Sequence, residues 1–543
     1  MRQLGGHDCG ALDTDTALAN ANVSLLHIHD PSTAPGGVVR FKRILAQIER
    51  RLAGWPPFRQ RLQRLPAGLG RPYWVDDEQF DLGHHVRHIA LPKPGDWRQF
   101  CIQVSRIHAR PLDLGRPLWA VYVIEGLDRC LDLPAGSFAL LLKTHLAAID
   151  QHRLADLTML LYDSSATPPP PLPPEPWFAD AAPGPLSRVG LLGRGLVQSA
   201  SAPLRLARPL LRAATRLAPA VLAVASELLL RPQNLPVTRF NSVVSPHRVF
   251  ETGRFTETEF ESICALVRGA TVDDAVLAVC GGALRRYLDA QGELPAVHSL
   301  AAILPEAVPG EAAAPGRAAA APAAEGSTPR WRHVHLGTHL ADAVQRLAAI
   351  HADATAVPGA VARLLGSRAL AETGEQASAA LLAWGRRWVG RAGARFGSRT
   401  PPANCSVVGL AAPAQPMYLC GARLRYCSAM LPISDGLGLA FAVSRYDGRL
   451  VISLTSCREL MPDPEAFAQC LRDSFQEYLA LARAAAVKRR RVPRPAAAPG
   501  VAALAPPVTK TLRGPPPVGK VRLRSAVPLG SSAGTSRRKS PPG

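Results

Sequence analysis

The ten cysteines of this chain include no pair in C-x-x-C spacing. Structural zinc sites and dithiol redox sites are commonly built from such pairs, so we expect neither kind of site here. No stretch approaches the ~18 consecutive apolar residues that a membrane-spanning helix needs. Residues 1–10 also lack the apolar core of a secretory signal. The sequence therefore predicts a cytoplasmic protein with reduced thiols.

Acidic residues are scarce relative to basic ones: 42 carboxylates stand against 63 lysines and arginines, for a net charge of +21. Residues 484–543 hold 13 of these cations and no acid, and subtracting the 13 from the total leaves +8 for the body. We predict that residues 486–543 form a disordered basic tail. Such a tail attracts anionic membrane or lipid-droplet surfaces, whereas nucleic acid is a less expected partner. A solvated extension without a partner is the simpler interpretation.

Residues 1–165 are predicted to form a first α/β unit, because apolar strands alternate there with helical patterns. The expected helices are Phe41–Leu52, Phe100–Ala109 and Leu154–Tyr162, and the expected strands are Leu118–Ile124 and Ser137–Lys143.

A segment at residues 166–235 separates this unit from the rest of the chain. Six prolines within Pro168–Pro174 exclude a helix at its start. Residues 187–231 are rich in Leu, Ala and Arg, with arginines recurring on one helical face. This pattern is typical of a basic amphipathic helix at a membrane surface, and it fits a helical hairpin packed on the core equally well.

Residues 236–485 are predicted to form a second α/β unit, interrupted by an Ala/Pro-rich insertion at about 308–329. Thr271–Leu288 and Pro464–Leu481 have helical periodicity. Asp447-Gly448 lies between two apolar runs, which is typical of a β-hairpin.

The strongest chemical candidate is the loop after the Ser137–Lys143 strand, which carries His145 and, five residues on, Asp150. A neutral histidine can accept a proton from an alcohol near pH 7, and a carboxylate can hold the loop in shape. The spacing by itself fits equally well a loop histidine of structural role and an aspartate that caps the following helix. A second group, His84, His85 and His88, lacks a carboxylate at metal-ligand spacing, and we interpret it as surface or strand-edge histidines.

Several stretches resemble the wax ester synthase/diacylglycerol acyltransferase family. The matching stretches are Pro57–Leu62, Gly70–Val75, Arg110–Asp113, Arg116–Trp119, Ala270–Ala278 and Tyr418–Gly438. The resemblance implies an α/β, two-domain chloramphenicol-acetyltransferase-like fold with an interdomain tunnel. It also implies acyl transfer from acyl-CoA, as co-substrate, to diacylglycerol or a long-chain alcohol, with no metal and no other cofactor.

The chain departs from the family pattern at the implied active site. In the HHxxxDG motif of the family, His145 matches the first histidine and Asp150 the aspartate, but Leu146 stands at the general-base position and Gln151 replaces the glycine. The family's Asn-Asp pair is Asp273-Asp274. Leucine cannot accept a proton, and loss of a general base lowers rates by about 10²- to 10⁴-fold.

Three hypotheses follow from the motif and its departures. The first is an impaired O-acyltransferase in which His145 or, less readily, His152 serves as the base. The second is an inactive homologue that binds acyl chains, lipid surfaces or an active paralogue. The third is a peripheral membrane protein that associates through its basic tail. The sequence favours an acyltransferase with impaired activity and leaves its acceptor and oligomeric state open.

Overall fold

The computed structural model describes most of the chain up to residue 491. The described residues are 2–52, 55–64, 71–127, 129–130, 133–149, 154–167, 235–306, 330–356, 403–410, 413 and 415–491. Nearly all of the 166–235 segment, the insertion at 308–329 and residues 492–543 of the basic tail lie outside these residues, so the expectations for them stay predictions. Residues 486–491, the start of the tail predicted to be disordered, are instead the last residues of a helix.

A first six-stranded mixed sheet has the order β12-β13-β2-β7-β6-β5. Its strands are β2 (Asn22–Asp30), β5 (Val86–Ala90), β6 (Trp119–Glu125), β7 (Phe138–His145), β12 (Tyr418–Leu419) and β13 (Ala422–Met430). All pairs are antiparallel except β5 with β6. Every residue of β2 and β7 is buried, although five of the nine residues of β2 are polar.

A second six-stranded mixed sheet has the order β10-β9-β11-β14-β15-β8. Its strands are β8 (Arg248–Thr256), β9 (Ala301–Glu306), β10 (Arg330–His335), β11 (Cys405–Leu410), β14 (Ala440–Tyr446) and β15 (Arg449–Cys457). Strand β11 runs parallel to both of its neighbours. A small third sheet pairs β1 (Arg2–Gln3), β4 (Tyr73–Asp76) and β3 (Gln60–Gln63).

The described helices cover the sheets and connect their strands. They are α1 (Gly6–Asp13), α2 (Phe41–Leu52), α3 (Leu82–His85), α4 (Trp97–Ala109), α5 (Leu154–Leu161), α6 (Glu257–Cys264), α7 (Val272–Ala290), α8 (Ala343–Thr355) and α9 (Pro464–Arg491). None of them is long and apolar enough to cross a bilayer.

The boundary between the two units differs from the linear division expected from the sequence. Residues 236–485 were assigned to the second unit, but β12 and β13 belong to the first sheet, where Arg423 faces Asp30 and Met430 faces Ser24. The chain therefore returns from the second half to complete the first. Strand order depends on pairing between residues about 400 positions apart, which no local pattern encodes.

The hairpin between β14 and β15 forms where Asp447-Gly448 predicts it. Asp447 and Gly448 adopt φ values of 51° and 71°. A two-residue loop with positive φ at both positions matches the twist of the flanking strands, and aspartate followed by glycine suits it because both tolerate this region. Helix α2 likewise has the predicted bounds, and α7 begins and ends within two residues of its expected positions.

Helix α4 lies in an apolar layer to which both sheets contribute. Phe100 and Val104 of α4 share one buried cluster with Ile28 of the first sheet and with Phe250 and Val451 of the second. At the start of the helix the Trp97 indole donates a 2.6 Å hydrogen bond to Glu251. The two sheets are thus joined through α4 as well as through β13.

Candidate active site

The loop with the candidate histidine begins where β7 ends, in the middle of the first sheet. His145 is the last residue of the strand and pairs with Asn22 of β2. Its backbone N–H donates to the carbonyl of Leu118, and its carbonyl accepts from Ala148 and Ile149 as the chain turns. The loop is therefore fixed by main-chain hydrogen bonds on both sides of His145.

Both ring nitrogens of His145 are engaged. Nδ1 accepts a 3.0 Å hydrogen bond from the backbone N–H of Ala147, so the proton of the neutral ring lies on Nε2. Nε2 is 3.0 Å from Oδ2 of Asp15 and donates to it. The side chain is 1% exposed. An Asp–His pair supplies two of the three members of a catalytic triad. Here, however, Nδ1 of His145 accepts from a backbone N–H, so its lone pair is not available to an alcohol.

Asp15 is a residue that sequence reasoning missed. Its second oxygen accepts a 2.8 Å hydrogen bond from the backbone N–H of Ala21, and the carbonyl of Ala21 accepts from Leu146. Asp15 thereby ties the chain that enters β2 to the loop that leaves β7. The two residues it connects lie 130 positions apart, and no motif in the sequence marks the contact.

Leu146 points into apolar surroundings. Its side chain is partly buried and packs against the largest buried apolar cluster of the described residues, as does Ala148. The next positions, Ala147 and Ile149, are buried as well. The position that the family fills with a base therefore carries no group that can accept or donate a proton. Asp150, Gln151 and His152 lie outside the described residues.

A buried polar cluster that the sequence did not single out lies on the α4 side of the first sheet. Ser24 Oγ is 2.8 Å from Nδ1 of His108. Burial, and then the charge of Lys143, hold the pKa of His108 well below its usual value. Ser24 is completely buried, so this serine–histidine pair has no access to a substrate and joins β2 to α4.

Lys143 of the same cluster is buried, and its Nζ donates to the main-chain carbonyls of Ile107 and Arg110. Burial, reinforced by Arg110, lowers its pKa to about 7. Between pH 7 and 10.5 the unfolded chain therefore binds one more proton than the folded chain, and the contribution of Lys143 to stability rises with pH.

We expect Lys143→Met to remove this dependence. From pH 7 to pH 8.5, the unfolding free energy of the unmodified protein should rise by about 2 kcal/mol relative to that of the variant. Urea melts at several pH values measure it. The exposed Lys42→Met is the matched control, and a difference that stays constant with pH would show that Lys143 is protonated in the folded state.

The interpretation of the second histidine group is wrong for His85. This residue is 3% exposed, and its ring stacks on Trp119 with a 4.6 Å centroid separation. Its Nδ1 hydrogen-bonds the Trp119 carbonyl at 2.8 Å, while burial lowers its pKa. His88 lies on the edge strand β5, as expected, and its Nε2 is 3.1 Å from Oε1 of Glu125. The short helix α3 turns His85 inward, which the spacing of three histidines does not reveal.

The Asp273-Asp274 pair lies at the start of α7. Asp274 exchanges hydrogen bonds with Thr271 in a capping box and accepts a 2.9 Å bond from His351 of α8. Asp273 pairs at the surface with Arg445. In this structure the pair holds a helix terminus and its neighbours.

No group of three or more potential metal ligands occurs among the described residues. All ten cysteines lie in the described part of the chain and form no disulfide bond, and several are buried. Burial raises the pKa of several of these thiols, for example to about 12 for Cys405. A thiol that keeps its proton is a poor nucleophile, so the buried cysteines are structural.

Comparison with known proteins gives a consistent family match. Residues 4–276 match the model of the wax ester synthase/diacylglycerol acyltransferase catalytic domain, and residues 331–478 match the model of the C-terminal domain of the same family. A Mycobacterium tuberculosis protein provisionally named a diacylglycerol O-acyltransferase is 30% identical over 504 residues, covering 86% of this chain and 95% of its own. Another from that organism, named in the same way, is 28% identical over 488 residues, covering 88% and 90%.

Among solved structures, the wax ester synthase/diacylglycerol acyltransferase from Marinobacter aquaeolei VT8 superposes with a TM-score of 0.59. The match is 22% identical in sequence and covers 89% of this chain and all of the other. This likeness, together with the two mixed sheets, confirms the predicted two-domain α/β acyltransferase fold.

Proposed function

Because the chain belongs to the wax ester synthase/diacylglycerol acyltransferase family, we propose that it is an acyl-CoA-dependent O-acyltransferase whose reaction is strongly impaired. Its donor would be a long-chain acyl-CoA and its acceptor diacylglycerol or a long-chain alcohol. The products would be triacylglycerol or wax ester and free CoA.

The reaction needs a base. The acceptor oxygen attacks the thioester carbonyl, the C–O bond forms as the C–S bond breaks, and the hydroxyl proton ends on the departing thiolate. A neutral alcohol is a poor nucleophile until a positioned group takes that proton. At the family's base position this chain has Leu146, and the adjacent His145 has both nitrogens committed, to Ala147 and Asp15. This arrangement is the observation that carries the proposal.

The assay of the proposal is CoA release from palmitoyl-CoA in the presence of diacylglycerol or hexadecanol. We expect the unmodified protein to turn over about 10²- to 10⁴-fold more slowly than an enzyme with its base in place. His145→Gln should leave this residual rate unchanged per folded molecule and lower thermal stability, because His145 anchors the loop. A substantial rate that disappears in folded His145→Gln would mean that His145 is the base and that the proposal is wrong.

An inactive homologue that binds acyl chains, a lipid surface or a paralogue is the second candidate. The apolar surroundings of Leu146 favour it, since they suit a hydrocarbon chain as well as a reacting alcohol. Saturable binding of a fluorescent fatty acid without any CoA release would support this candidate. Its basic tail would add affinity for anionic surfaces, and vesicle association should then weaken at high salt.

A further inference from the structure

A cavity of about 770 Å³ opens between the start of α4 and the β8 edge of the second sheet. It lies at the opposite end of α4 from the His145 loop. Five arginines line it. Arg98 pairs with Glu465, and the other four carry the argument that follows: Arg129, Arg254, Arg449 and Arg472. We call this cavity the arginine pocket.

The carboxylates in the lining already have partners. Asp96 accepts from the backbone N–H of Gln99, Glu251 from the indole of Trp97, Glu259 from the hydroxyl of Thr256, and Glu465 pairs with the guanidinium of Arg98. Burial also raises the pKa of Glu251, which favours its neutral form. Hydrogen bonds from neutral donors leave the charge of a carboxylate in place, so the five arginines of the lining exceed its four carboxylates by one positive charge.

The four arginines, by contrast, form no ion pair with any carboxylate in the described part of the chain. Arg254 and Arg449 lie on adjacent strands, with Arg254 opposite Val451 and Arg449 opposite Thr256. They are diagonal neighbours on one face of the sheet, and diagonal neighbours in antiparallel strands are about 7–8 Å apart. Exposed like charges at this separation repel each other weakly, and an anion bound between them would be attracted by both.

Helix polarity adds to this field. Helices α4, α6 and α9 all begin at the pocket, where Trp97, Thr256 and Glu465 belong to its lining. The amino end of a helix carries a partial positive charge and favours anions. The helix ends therefore reinforce the unpaired arginines.

We propose that the arginine pocket binds a ligand bearing phosphate groups. Guanidinium groups bind phosphate oxygens in bidentate geometry, and the volume is that of a small-molecule site. Two sources share this chemistry: the phosphorylated nucleotide of CoA and the headgroup of an anionic phospholipid. The CoA source rests on the proposed function and is the one to which we commit.

The position of the pocket favours CoA. Helix α4 has 13 residues, so its ends are about 20 Å apart. Lys143, two residues before His145, hydrogen-bonds the carbonyl of Ile107 at the far end of α4. An acyl donor whose phosphates are bound in the pocket needs a long flexible linker for its thioester to reach the His145 loop at the other end of this helix. CoA carries such an arm between its nucleotide and its thioester, whereas a lipid headgroup does not.

The test is binding, measured on the full chain by calorimetry with CoA and by flotation with vesicles. The vesicles contain phosphatidylcholine with or without phosphatidylglycerol. The pocket variant is Arg254→Gln/Arg449→Gln, and the control is Arg87→Gln/Arg268→Gln, which removes the same charge from exposed positions outside the pocket. We expect the pocket variant to bind CoA about 10- to 100-fold more weakly and the control to bind nearly as well as the unmodified protein.

The outcomes separate the sources. Loss of CoA affinity in the pocket variant alone supports the donor nucleotide. Loss of phosphatidylglycerol-dependent flotation in that variant alone, with CoA binding unchanged, overturns the CoA source and assigns a lipid headgroup. Equal behaviour of both variants, or no binding of either probe, overturns the pocket as a phosphate site. Because turnover is not measured, a chain without acyltransferase activity still gives a decisive answer.

Discussion

Leu146→His is expected to raise CoA release from palmitoyl-CoA by about 10²- to 10⁴-fold over the unmodified protein. The substitution places an imidazole on the loop that main-chain hydrogen bonds from His145 and Leu146 already fix. A neutral histidine at this position can take the acceptor's proton near pH 7. The rate of CoA release by the variant should therefore increase with pH over the range in which that imidazole loses its proton.

Leu146→Gln is the matched control, since glutamine has a similar size and polarity but no basic nitrogen. We expect it to stay at the rate of the unmodified protein. If glutamine accelerates CoA release as much as histidine does, polarity and not proton transfer limits the reaction. No activity in either folded variant would show that more than the base has been lost, and would favour the inactive homologue.

Acid is expected to unfold this protein between pH 6.5 and pH 4. Three buried histidines carry the effect: His27, His29 and His108. Burial lowers the pKa of His27 to about 4. It holds the pKa of the other two well below the usual value, with the charge of His27 adding to the effect at His29.

The sign follows from proton binding. Below pH 6.5 the unfolded chain protonates these histidines while the folded chain does not, so the unfolded state binds more protons and stability decreases as the pH is lowered. Each histidine contributes up to about 1.4 kcal/mol per pH unit in this window. The stability is fully present above pH 6.5 and is lost progressively toward the lower pKa of the folded state.

His29 offers the sharpest test. Its ring stacks between Phe138 and Tyr162, and neither nitrogen makes a hydrogen bond of good geometry to a described residue. His29→Leu should therefore fold and should shift the acid midpoint downward, because it removes one protonation from the unfolded state without leaving a polar partner unsatisfied. Circular dichroism during acid titration measures the midpoint. His298→Leu, at an exposed position, is the control, and an unchanged midpoint for His29→Leu would refute the assignment.

Local sequence patterns determined the elements and the family. The period of apolar residues gave α2 its bounds, and Asp447-Gly448 gave the β14–β15 turn, since both depend on forces between near neighbours. The matching stretches indicated the family, and the leucine at position 146 led to the hypothesis that acyl transfer is impaired.

Only the tertiary structure decided which groups meet. Asp15 accepts a hydrogen bond from Nε2 of His145, and β13 completes the first sheet. Arg254 and Arg449 line the same cavity as the first residues of α4. Each of these contacts joins residues far apart in the chain, where strand register and packing set the distance and no local propensity records it. The sequence thus shows a leucine at position 146, while the structure shows that both ring nitrogens of the adjacent His145 form hydrogen bonds.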